Sequence, residues 1–119
     1  MTKFLLALLV FATSALAADF TGNWSGEAVT NGESHAIYFV LKQDGTRLTG
    51  TGGPDATDQH DFTSAKVDGS KLVLEIGVGE NATLHFELEG DAANLKGTVV
   101  LKHDDGTETG PVTLKKVTT

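Results

Sequence analysis

The chain has no cysteine, only two prolines, a single tryptophan, and 9 Lys and Arg against 16 Asp and Glu. Each scarcity removes an option. Without cysteine there is no disulfide framework, no thiol chemistry and no thiolate metal site, so a small domain must hold by its apolar core alone. A net charge of −7 repels phosphate backbones and anionic headgroups, which excludes nucleic acid as a partner. After Asp19 there is also no 3.6-residue apolar period long enough for a helix. No serine stands in a nucleophile elbow, and Gly77-Val78-Gly79 lacks the phosphate-loop and dinucleotide patterns. The residues therefore read as a non-enzymatic protein, with no catalytic set, no cofactor and no metal.

What is present begins with Met1–Ala17. Lys3 supplies a positive start, Phe4–Ala12 is an unbroken apolar run, and Ala15-Leu16-Ala17 places small residues before a cut after Ala17. The run is too short to span a bilayer and leads into polar Asp19, Thr21 and Asn23. Residues 1–17 are expected to be a signal peptide and residues 18–119 one β domain, secreted or periplasmic, with no membrane span after cleavage. Cleavage removes Lys3 and no acid, so the net charge of −7 becomes −8.

The mature part alternates with period 2. Ile37–Lys42, Leu72–Ile76, Leu84–Glu89 and Leu95–Lys102 each carry apolar residues on one face. Weaker strands are expected near Trp24–Val29, Arg47–Thr51, Phe62–Val67 and Val112–Val117. Asp44-Gly45, Asp68-Gly69 and Asp105-Gly106 signal hairpin turns. Gln43–Thr51, Glu89–Thr98 and, in part, Val67–Leu72 resemble one another, a repetition of turn chemistry. About eight strands joined by short turns predict an all-β, antiparallel up-and-down meander. A closed small barrel is the expected form, and a two-sheet sandwich is the alternative. Inward glycines (Gly26, Gly50, Gly97 and Gly110) suit the taper and coiling of a barrel, and a leucine at Gly50 is expected to fill its interior.

Phe20-Thr21-Gly22-Asn23-Trp24-Ser25-Gly26 resembles the Gly-x-Trp opening of the calycin superfamily, the lipocalin- and avidin-like barrels. The resemblance implies an eight-stranded barrel with Trp24 closing one end, beside Gly22, and an interior able to hold a ligand. Lipocalins pair that tryptophan with an arginine near the last strand. Here the only arginine is Arg47, so Lys115 or Lys116 would have to take that part. The lipocalin C-terminal helix and the several tryptophans of avidin-like sites are missing, so neither retinoid nor biotin binding is implied. The chain also resembles small, glycine-rich, exported bacterial β proteins, which bring no activity with them.

If the barrel is hollow, parity assigns its ligand-binding residues: Phe39, Leu74, Ile76, Phe86 and Leu88 inside, with His35 as the polar group near a mouth. The partner would be a small apolar molecule. The other reading is a structural or protein-interaction module with a solid core, acting through its acidic surface. Tyr38, Val40, Val73 and Val100 carry outward parity and could bury against another copy. Asp55-Ala56-Thr57-Asp58-Gln59-His60-Asp61 is the densest polar segment. It lacks EF-hand spacing and is read as a solvated acidic loop.

Overall fold

The computed structural model describes residues 19–117, so the expected signal peptide lies outside the described residues. Nine strands follow: β1 (Gly22–Thr30), β2 (Glu33–Asp44), β3 (Arg47–Asp55), β4 (Asp58–Asp61), β5 (Ser64–Asp68), β6 (Lys71–Val78), β7 (Ala82–Gly90), β8 (Asn94–His103) and β9 (Gly106–Lys116). Each pairs antiparallel with its neighbours. The ring runs β1-β2-β3-β5-β6-β7-β8-β9 and returns to β1 through the register from Trp24–Lys116 to Ala28–Val112. The protein is thus a closed eight-stranded meander with β4 as an extra strand on β3, not a sandwich. That architecture is compatible with the calycin-like expectation.

Alternation explains why the strands form where they do. Along β6, Leu72, Leu74 and Ile76 are buried while Lys71, Val73 and Glu75 turn outward. Along β2, Ile37, Phe39 and Leu41 do the same. The turns vary in how they use their glycines. In Asp44-Gly45 and Asp68-Gly69 the glycine opens a two-residue turn, with φ of 67° and 63°. Asn31-Gly32 joins β1 to β2 with positive φ at both residues, 51° and 80°. That is the combination a type I′ hairpin needs. The three similar segments around Gly45, Gly69 and Asp91 all reverse the chain at one end of the barrel.

That end is sealed. Trp24 is fully buried, and its indole N–H donates to the carbonyl of Phe20 at 2.9 Å. Phe20 lies against it with ring centroids 6.3 Å apart, and its own backbone N–H donates to Oε1 of Gln43 at 2.8 Å. Lys116, from the last strand, stands over the indole with Nζ 5.4 Å from the ring centroid, a cation–π contact. Of the two candidate lysines, Lys116 is the one over the indole. Gly22 makes room for it, because a Cβ there would come within 3.1 Å of the lysine Cε.

One seam is irregular. The lower part of β3 touches β5 only through Arg47–Lys66, while its upper part pairs with β4 through Thr51–Asp61 and Gly52–His60. Between these points the β4–β5 side carries one residue more than β3, a bulge at Phe62-Thr63. Side-chain parity therefore switches: Phe62 packs inward edge-on to Phe39, centroids 5.7 Å apart, and Ala65 and Val67 point inward beyond the bulge. The segment expected to be an acidic loop is instead the β3–β4 hairpin, turning at Ala56-Thr57.

Candidate functional site

Beyond the sealed base the barrel opens into a cup of about 700 Å³. Phe39 and Phe86 meet edge-to-face across its floor, centroids 5.0 Å apart, and both are essentially inaccessible. Below them Leu41, Leu72, Leu74, Leu95 and Leu114 fill the barrel solidly. Above them the wall is apolar, formed by Ile76, Leu84, Val99 and Leu101. Gly52 makes room for the floor, since Phe39 and Ile76 take the space that a side chain there would need. A Cβ there would stand 2.7 Å from Phe39 Cδ1 and 2.8 Å from Ile76 Cδ1.

The rim is polar, and three hairpins present it. The β1–β2 hairpin carries Glu33 and His35, β4 carries Asp58 and His60, and β9 carries Glu108. Asp58 Oδ1 lies 3.1 Å from His60 Nε2, and Glu108 Oε2 lies 3.4 Å from His103 Nε2. The β3–β4 hairpin is pinned from outside by Gln59. Its Nε2 donates to the carbonyls of Tyr38 (3.0 Å) and Asp55 (2.8 Å), and its Oε1 accepts from Thr51 Oγ1 (2.7 Å). Asp55 is absorbed in the turn itself. Its Oδ1 accepts from Thr57 Oγ1, the Thr57 N–H and the Asp58 N–H, which hold its carboxyl below the usual range, the Thr57 hydroxyl most of all.

The structure brings together His35, Phe39, Ile76 and Phe86 from the set that parity assigned. Leu74 and Leu88 share their parity but lie deeper, in the packed base, and do not line the cup. Sequence reasoning missed Asp58 and His60 as rim residues. Their side chains face the cavity because His60 opposes inward Gly52, whereas Asp61 opposes outward Thr51. Among the described residues no group of three or more His, Asp or Glu side chains is placed to hold a metal ion. Tyr38 and Val40 on β2, Val73 on β6 and Val100 on β8 sit on separated strands of the ring and form no continuous stripe.

Outside the wall, His85 bridges Glu75 (Nδ1 to Oε2, 2.8 Å) and Glu87 (Nε2 to Oε2, 3.0 Å). Those carboxylates, Glu75 foremost, raise the imidazole above its ordinary pKa. A raised folded-state pKa contributes stability that is present below about pH 6.5 and lost as pH rises through the folded value. His85→Gln is therefore expected to cost about 0.5 kcal/mol near pH 5.5, as for a partly exposed ion pair, and almost nothing near pH 8.5. Paired urea melts at the two pH values check this, and an equal cost at both would contradict it.

Compared with known proteins, the chain matches no protein-family model, no curated protein and no solved structure.

Proposed function

We propose that this chain is a non-enzymatic, exported barrel that binds a small apolar molecule in its open cup, in the manner of a calycin-like carrier. The observation that carries the reading is the contrast between the two ends. One is sealed by Trp24, Phe20 and Lys116, and the other is an apolar-walled space of about 700 Å³ open to solvent. Cavities that hold small ligands are commonly about 300–1,000 Å³, mostly apolar, with a few polar groups that orient the ligand. Export is supported by Lys3, the Phe4–Ala12 run and Ala15-Leu16-Ala17. Such a lining selects by size and shape more than by hydrogen bonding.

The test is titration with N-phenylnaphthylamine, a neutral dye that brightens in apolar surroundings. One saturable site is expected. Gly50→Leu, the substitution first suggested by parity, is the wrong control, because a Cβ at Gly50 (φ 146°) would meet the Val40 carbonyl oxygen at 1.9 Å. Gly52→Leu is the right one. Its side chain would need space that Phe39 and Ile76 already fill, so both must shift toward the cup, and it should weaken dye binding about tenfold or more, roughly 1.4 kcal/mol, in a protein whose urea midpoint shows that it still folds. Absence of saturable binding by the parent protein would favour the solid, surface-acting module instead.

A further inference from the structure

The cup is set apart from the rest of the molecule by the sign of its charge. Its lining includes the carboxylates of Glu33, Asp58 and Glu108, the imidazoles of His35 and His60, and no lysine or arginine. The separation extends to the whole barrel. Among the described residues only Lys102 stands in the mouth-ward half of its strand, where it is exposed and opposes Thr83 and Thr107 on the outer face. Every other cation, from Lys42 on β2 to Lys116 on β9, lies toward the sealed end. The hairpins framing the mouth add Asp55, Glu80, Asp104 and Asp105 to the rim. A low-dielectric cup ringed by one sign of charge focuses the field on its entrance. A carboxylate or phosphate head would be repelled there, whereas an ammonium would be attracted.

We propose, on the foundation of the ligand-binding reading above, that the cup takes a cationic amphiphile: an alkyl or aryl amine whose apolar body rests on Phe39, Ile76 and Phe86 while its ammonium sits among Glu33, Asp58 and Glu108. The apolar floor provides the retention and the rim chooses the head. Both halves are needed, so a short amine without a tail should not bind.

The experiment is displacement of N-phenylnaphthylamine from the full exported protein at pH 7.5 and low salt. The competitors are decylamine, decanol, decanoate and butylamine, each below its micelle concentration. Decylamine should displace the dye at about tenfold lower concentration than decanol, decanoate should be the weakest of the ten-carbon compounds, and butylamine should be inert. Added salt should narrow the gap between amine and alcohol. In the combined variant Glu33→Gln, Asp58→Asn, Glu108→Gln, decylamine and decanol should displace the dye at concentrations within about twofold of each other. If the dye binds saturably but decylamine shows no advantage, or keeps it in the triple variant, the head-group proposal is overturned while the apolar-ligand reading stands. Butylamine competing as well as decylamine would show ion pairing at the surface and overturn it too. Failure of the dye to bind the parent protein would bring down the reading beneath both.

Discussion

Replacing Trp24 by alanine should cost about 3–5 kcal/mol, the range for deleting a large buried aromatic side chain. The residue has no accessible surface, and it is the piece on which the sealed end is assembled. Its removal takes from Phe20 its aromatic neighbour, leaves the Phe20 carbonyl without its donor and leaves the Lys116 ammonium over a hole. Trp24→Phe retains part of the packing but not the N–H, so it should cost less than alanine, with a contribution of about 1–3 kcal/mol from the orphaned buried carbonyl. Since Trp24 is the single tryptophan, intrinsic fluorescence reports on this site alone. The native emission should be blue-shifted and should move to the red through the same urea transition that unfolds the strands. An emission maximum of free indole, or a cost for alanine below about 1 kcal/mol, would show that the end is not sealed as described.

The second large effect concerns Gly97, where propensity and geometry give opposite signs. A glycine inside a strand is entropically unfavourable, so a β-branched residue should stabilise an ordinary strand by up to about 1 kcal/mol. At Gly97, however, β8 coils so closely onto β7 that a Cβ would stand 1.9 Å from the Glu87 carbonyl oxygen and 2.9 Å from Leu88 Cα. Both obstacles are backbone and cannot swing aside. Gly97→Val should therefore destabilise by about 3 kcal/mol or more, as overpacking that the core cannot absorb. Gly77→Val provides the contrast: Gly77 is exposed, and a Cβ there meets nothing nearer than Thr63 Cγ2 at 3.9 Å. It should be neutral or slightly stabilising. Urea midpoints for the two variants decide the matter. A stabilising Gly97→Val would mean that β8 runs straighter than described.

The parts of this barrel that could be read from its residues are those governed by a one-sided burial. Leu72, Leu74 and Ile76, or Phe39 and Leu41, point inward because period 2 leaves them no other face, and the Asp-Gly pairs mark turns because glycine takes positive φ cheaply. The rest depends on what period 2 does not carry. Asp58-Gln59-His60-Asp61 has no apolar alternation because β4 lies at the rim, with solvent on one face and the open mouth on the other, so its residues carry the signature of a loop. The bulge at Phe62-Thr63 switches parity in mid-strand, which hides that Phe62 and Val67 both point inward. Phe20 precedes the first strand and gave no periodic signal, yet it completes the seal on Trp24. Depth along the barrel axis is equally invisible. Ile76 and Phe86 share parity with Leu74 and Leu88, but one pair lines the cup and the other fills the base.

If an apolar ligand enters the open end and stops at the Phe39–Phe86 floor, methyl-resolved NMR during titration with N-phenylnaphthylamine will locate it. Saturable shifts are expected for the methyls of Ile76, Leu84, Val99 and Leu101, with Leu72, Leu95 and Leu114 in the base unmoved. Shifts confined to outward Val40 and Val73, or no saturable shift at all, would contradict that mode of binding.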